Sequence, residues 1–193
     1  MKLEDINNSD IKIETARLIL RPWELSDTDD LYEYASVAGV GEAAGWKHHK
    51  TREQSEAVIK NFIAQRRCFA IEEKESGKVI GSVSLERTPE DLFKDADIGA
   101  NVNEVGYVVS KSYWGKGYAT EAVRGMLGYC FFMLHLDAVT CGHFKGNSAS
   151  RAVITKCGFK YVCDGKYTME SGRTYDSQHY VLTSSDYGVE YKA

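Results

Sequence analysis

Residues 104 to 122 read "EVGYVVSKSYWGKGYATEA": a strand rich in β-branched residues, two glycines one residue apart, and the start of an amphipathic helix. No other stretch restricts the fold as much. A strand that runs through a glycine-rich turn into a helix points several backbone N–H groups and the positive end of the helix dipole at one place, which makes an anion site. The helix that follows carries Ala119, Val123, Met126 or Leu127, Cys130 and Leu134 as one apolar stripe and so packs on a sheet. Two familiar anions fit poorly. A P-loop requires GxxxxGK[ST], and "GKGYAT" has neither the spacing nor the Lys-Ser/Thr pair. A dinucleotide turn requires a third glycine where Thr120 stands and an acid at the far end of the next strand, whereas Asp137 precedes the strand "AVTCGHF".

The remaining segments supply the sheet. Alternation from Ile11 to Leu20 predicts a strand, and "SDTDDLYEYAS" predicts a helix capped by Ser26 or Asp27. Thr51, three residues before Gln54, opens a second helix with Val58, Ile59, Phe62 and Ile63 on one side. "RCFAIEE" and "KVIGSVSLE" form a hairpin through "KESG". Residues 88–103 read as an acidic, substrate-facing loop. "AVTCGHF", a helix over 147–157 stopped by Gly158, "FKYVCDG" and "YDSQHYVL" complete a mixed sheet with helices on it.

The chain has 193 residues, enough to bury a core within a single domain (1–193), with residues 1–10 as a flexible start. The longest apolar run, "GMLGYCFFMLHL", falls short of the roughly 20 residues a membrane span needs. "MKLEDINNSD" lacks the basic-then-apolar order of a signal peptide, so a cytoplasmic protein without a membrane partner is expected. The five cysteines are odd in number and form no CxxC pair, which predicts buried, reduced thiols and no metal site. Net charge is −4, yet residues 111 to 160 hold seven Lys or Arg against Glu121 and Asp137. That split suits an anionic ligand in one region and a cationic one elsewhere, and a nucleic-acid partner is not expected.

"WGKGYA" resembles the Q/R-x-x-G-x-G/A signature of the GNAT superfamily of acetyl-CoA-dependent N-acetyltransferases, with Trp114 in the Q/R position. "ETARLILRPW", "EVGYVVSKSYWGKGYATEA" and "NSASRAVITKCGF" are similar, in style and order, to the branch containing the ribosomal-protein N-terminal acetyltransferases RimJ and RimL, and "GWKHHKTREQS" also resembles it. The likeness spans nearly the whole chain. It implies an α/β (α+β) fold: a mixed, mostly antiparallel central sheet, with splayed parallel strands in the middle and about four helices. It implies acetyl-CoA as co-substrate and direct transfer to a primary amine, foremost a protein N-terminal α-amine. An aminoglycoside-like or polyamine acceptor, or a non-catalytic coenzyme A sensor, is the alternative, and monomer and homodimer both stay open.

The resemblance also assigns roles. The main chain of Tyr107, Val108 and Val109 pairs with pantetheine, and the turn of Trp114, Gly115, Lys116, Gly117, Tyr118, Ala119 and Thr120 holds the pyrophosphate. Asn147 contacts the pantetheine amide or serves only as a helix cap. Glu104 matches the catalytic glutamate of some members and takes the amine proton through a water, or is a strand-end surface acid. The N–H of Val108 or Val109 is the oxyanion donor. Many relatives carry a tyrosine as thiolate acid five residues before the Phe of "GF". That place is Ile154 here, and Ser150, one turn earlier on the same face, is the substitute, unless it back-bonds to its own helix. Trp46 and His49 are expected to line the acceptor pocket, His143 to act as base or acceptor contact, and His48 to be an exposed loop residue.

Overall fold

The computed structural model describes residues 3–168 and 172–189. Eight strands, β1 (Ile13–Glu14), β2 (Leu18–Pro22), β3 (Cys68–Glu73), β4 (Val79–Glu86), β5 (Val102–Val109), β6 (Ala138–Phe144), β7 (Lys160–Thr168) and β8 (Thr174–Thr183), form one sheet. Their order is β1-β2-β3-β4-β5-β6-β8-β7, so the last strand inserts between its two predecessors. All neighbours are antiparallel except β5 and β6.

That parallel pair is short. Val102, Asn103 and Glu104 face Ala138, Val139 and Thr140, and there the pairing stops. Beyond it β5 stays with β4 as far as Val109, and β6 stays with β8 as far as Phe144. A wedge therefore opens between residues 105–109 and 141–144. The Ser110 N–H donates to the Ile80 carbonyl, which fixes the alternation along β5: Val105, Tyr107 and Val109 turn their main-chain groups into the wedge, while Gly106 and Val108 bond to β4.

Among the described residues, four helices have eight residues or more. α1 (Thr28–Ala35) and α3 (Arg52–Gln65), with the short α2 (Val40–Ala44), cover one face around Trp23, Leu31, Tyr34 and Ile59. The turns α4 (Glu90–Phe93) and α7 (Ser184–Tyr187) lie at the margins, and α5 (Tyr118–Gly128) and α6 (Ser148–Lys156) cover the other face around Phe69, Ile71, Val105 and Met126. The sheet and its splayed pair are those the family resemblance implies.

Several local expectations need correction. Ile11 to Leu20 is two strands, because the Thr15 N–H donates to the Leu18 carbonyl at 3.0 Å and reverses the chain. Alternation alone is blind to that turn, which the α5 carboxylate of Glu121 secures through Thr15 Oγ1 at 2.6 Å. Thr51 caps α3 by accepting from the Gln54 N–H, but Ile63 is exposed and only Ile59 of the expected stripe is fully buried. After α5 the helix widens into a π turn over Tyr129–Met133, so Tyr129, Cys130 and Phe131 are all buried while Phe132 and Met133 face solvent. The start is tied down over its described part: Ile6 is buried, and Asn8 Nδ2 donates to the Cys68 carbonyl at 2.8 Å. Within residues 88–103, Phe93 packs on Ala138 and Val181, and the Asp137 carboxylate accepts from the N–H groups of Ala100 and Asn101.

Candidate active site

Gly115 and Gly117 have φ of +73° and +85°, in the left-handed region that glycine enters without strain. Gly117 caps α5, whose first intrahelical bond runs from the Glu121 N–H to the Gly117 carbonyl. The N–H groups of residues 115 to 120 donate to no acceptor among the described residues. Six unbonded amides at the N-terminus of an 11-residue helix, with no Cβ at two of them, fit the pyrophosphate of coenzyme A.

A polar clamp holds this turn. Glu121 accepts from the Arg17 N–H at 2.7 Å and pairs with the Arg17 guanidinium, which also donates to the Lys116 carbonyl and lies 4.2 Å over the Tyr118 ring. Burial alone would raise the Glu121 carboxyl; Thr15 and Arg17 bring it below its usual value. Lys116 Nζ sits over the Tyr113 ring at 5.4 Å.

From the turn a cavity of about 300 Å³ runs between β5 and α6, past Tyr107, Val109, Trp114, Asn147, Val153 and Lys156. Trp114 donates its indole N–H to the Val109 carbonyl at 2.7 Å. Asn147 Oδ1 accepts from the Ser150 N–H and its Nδ2 donates to the Ala43 carbonyl, so the amide serves as cap and as tie to α2. Ser150 does not back-bond to its helix. Its Oγ lies 2.8 Å from Tyr107 Oη, which also donates to the Ser150 carbonyl at 3.2 Å. Burial pushes the Tyr107 phenol far above its usual value, so that hydroxyl keeps its proton. Ile154 is buried and offers no acid.

A second cavity, of about 550 Å³, opens on the opposite face of the wedge and is lined by Trp46, Glu104, Phe144, Tyr167 and His179. Tyr107 and Ser150 line both cavities, so the two meet there. Glu104 stands across from Glu86 on β4, and its Oε2 has no hydrogen-bond partner. Burial, and then the charge of Glu86, push the Glu104 carboxyl up to about 7.

The histidines separate. His143 donates from Nδ1 to the Phe144 carbonyl at 2.9 Å, which leaves Nε2 to accept from the Tyr180 hydroxyl at 3.2 Å; both nitrogens are engaged. His49 pairs with Ser55 at 2.8 Å, burial lowers its pKa, and it lines a neighbouring cavity of about 540 Å³ that shares Trp46 with the second, the wedge cavity. His48 is half-buried between Glu42 and Lys50. Residues 88–103 do not line the wedge cavity; Phe93 meets the edge of His179 from behind.

Sequence reasoning missed the Tyr107 hydroxyl and His179. The only signal for His179 was its alternation with Ser177 in "YDSQHYVL". Only the insertion of β8 beside β6 brings it to the wedge. Among the described residues no cluster of three or more His, Cys, Asp and Glu could hold a metal ion, and no helix is long and apolar enough to cross a membrane.

Residues 17–160 match the family model described as "Acetyltransferase (GNAT) domain". The chain is 26% identical over 176 residues to the uncharacterized N-acetyltransferase YoaA of Bacillus subtilis, covering 88% of this chain and 95% of that one. Two solved structures share its fold. The ribosomal-protein-S5-alanine acetyltransferase from Vibrio fischeri superposes with a TM-score of 0.68 at 19% identity, over 92% of this chain and 98% of that one. The microcin C7 self-immunity acetyltransferase MccE, solved with acetyl-CoA and AMP, gives 0.71 at 18% identity, over 88% and 93%.

Proposed function

We propose, since this chain belongs to the GNAT family of acetyl-CoA-dependent N-acetyltransferases, that its acceptor is the α-amine of a protein N-terminus, as in the RimJ/RimL-like branch. The observation that carries this reading is the Glu104 carboxyl: raised to about 7, unpartnered at Oε2, and set in a cavity that joins the cofactor cleft at Ser150. A base of that strength is matched to a weakly basic amine. Neutralising an α-ammonium of pKa near 8 at pH 7 costs about 1 to 1.5 kcal/mol, against roughly 4 to 5 for a lysine near 10.4. The acidic Glu86 and Glu104 also suit an acceptor that arrives as a cation. The Vibrio fischeri protein that shares the fold is itself a ribosomal-protein acetyltransferase, which supports the choice of a protein end over a small amine.

Acetyl-CoA supplies the acyl group as a thioester. The amides of residues 115 to 120 hold its pyrophosphate, and the main chain of Tyr107 pairs with pantetheine. Glu104 takes the amine proton, directly or across one water. Val109, whose N–H faces the wedge, is the oxyanion donor; removing such a donor typically costs roughly a hundredfold or more in rate. As the C–N bond forms and the C–S bond breaks, Ser150 Oγ, held by a 2.8 Å bond to Tyr107, gives its proton to the leaving sulfur and recovers one from solvent, to which Glu104 returns the proton taken from the amine.

The test is thiol release from acetyl-CoA with a panel of short peptides with free N-termini, N-blocked lysine peptides, polyamines and aminoglycosides. Free N-termini should give the highest kcat/KM. A polyamine or aminoglycoside at the head of the ranking refutes the α-amine assignment.

A further inference from the structure

Five buried side-chain polar atoms lack a hydrogen-bond partner among the described residues, and two of them, Glu104 Oε2 and His179 Nδ1, line the same cavity. Buried polar atoms are almost always paired, so two orphans on residues that line one cavity point to a ligand that pairs them. Glu104 already has a use; His179 does not.

The fold makes room for this imidazole. His179 is 5% exposed and lies flat across three strands, between Gly142 on β6 and Gly165 on β7. A Cβ on Gly142 would come within 3.1 Å of His179 Nδ1, and one on Gly165 within 2.9 Å of Nε2. Ser177 Oγ fixes the ring by bonding Nε2 at 2.8 Å. Nδ1 therefore lies over Gly142, on the side of the ring nearer β6, the strand that borders the wedge. Glu104 pairs with Thr140 and His179 with Gly142, so both side chains rise from the same face of the sheet. At two strand spacings across and two residues along, their Cα atoms are roughly 12 Å apart. With both side chains reaching inward, that distance leaves room for a short polar segment.

We propose that His179 is a specificity residue of the acceptor site, hydrogen-bonding through Nδ1 a polar group that lies a few bonds from the reacting amine, and that for a protein end this group is the first peptide unit. The proposal rests on the assignment of this cavity to the acceptor. Burial lowers the pKa of His179, which keeps the ring neutral and able to donate or accept as the Ser177 hydroxyl rotates.

Three acceptors separate the possibilities: alanyl-alanine amide, n-butylamine and 1,4-diaminobutane, each assayed by thiol release. His179→Leu should raise KM for the peptide amide at least tenfold and leave that for n-butylamine within twofold. His179→Asn, whose amide end reaches the place of Nδ1, should keep KM for the peptide within threefold. Coenzyme A affinity by calorimetry should be unchanged in both variants, which verifies the fold. Equal effects of His179→Leu on peptide and butylamine, or none on either, overturn the proposal. The α-amine assignment fails separately: a wild type that ignores the peptide but acetylates the diamine, with the same His179 sensitivity, refutes that assignment and upholds this one.

Discussion

Replacing Glu104 by glutamine should cripple the enzyme and stabilise the fold, and pH should reveal the second effect. The carboxyl rises from 4.5 to about 7 because folding buries it beside Glu86. Between those values the folded chain holds a proton that the unfolded chain has released, so wild-type stability falls as pH rises through the window. That rise, at about 1.36 kcal/mol for each tenfold change in proton affinity, sets the loss at no more than roughly 3.5 kcal/mol. Glutamine keeps the shape of the protonated acid and cannot ionise. Urea unfolding at pH 4.5 should therefore find the two proteins close, and at pH 8 the variant should be more stable by about 2 to 3 kcal/mol, or roughly 5 to 10 °C in Tm. Its kcat should drop by about 10² to 10⁴, the usual range for a lost general base, and wild-type kcat/KM should climb with pH through about 7. Equal stabilities of the two proteins at pH 8 would refute the buried, repelled carboxylate.

Gly117→Val forces a β-branched residue to a φ of +85° and should weaken coenzyme A binding by at least thirtyfold in calorimetry; unchanged affinity would remove the turn from the cofactor site. Ser150→Ala should lower kcat by about tenfold or more and leave coenzyme A affinity within twofold, with Tyr107→Phe moving kcat in the same direction by less. Glu121→Ala strips the acceptor from Thr15 and Arg17 and should cost about 1 to 3 kcal/mol in urea unfolding, with coenzyme A affinity falling alongside.

What the sequence could and could not disclose follows from range. The strand, turn and helix around Gly115 and Gly117 are local, and their anion-holding geometry follows from spacing and residue type alone. β6 was legible to the residue because "AVTCGHF" is bounded by Asp137 on one side and Gly146 on the other. The split of β1 from β2 was hidden, since Thr15 turns on a carboxylate 106 residues away. Phe93 was hidden for the same reason: in sequence it sits in an acidic stretch, and only the arrival of Ala138 and Val181 makes it core. His143 drew attention by ending a strand at the wedge, yet Tyr180 and the Phe144 carbonyl occupy both its nitrogens. His179 drew none, because its place depends on which strand inserts where.

The clamp between Arg17, Thr15 and Glu121 sets a clock on biosynthesis. At about 5 to 20 residues per second, the ribosome makes the β1–β2 turn some 5 to 20 s before it makes the glutamate that secures it. During that interval Lys74, which bonds Glu14 and the Thr15 carbonyl, ties the hairpin to β3, while the carboxylate that pairs with Arg17 and the glycine turn after β5 do not yet exist. The last side-chain ties of the β1–β2 turn form only when α5 emerges. On the proposed assignment acetyl-CoA binds only the finished turn, and its binding free energy would then add to keeping the two ends of that 100-residue span together.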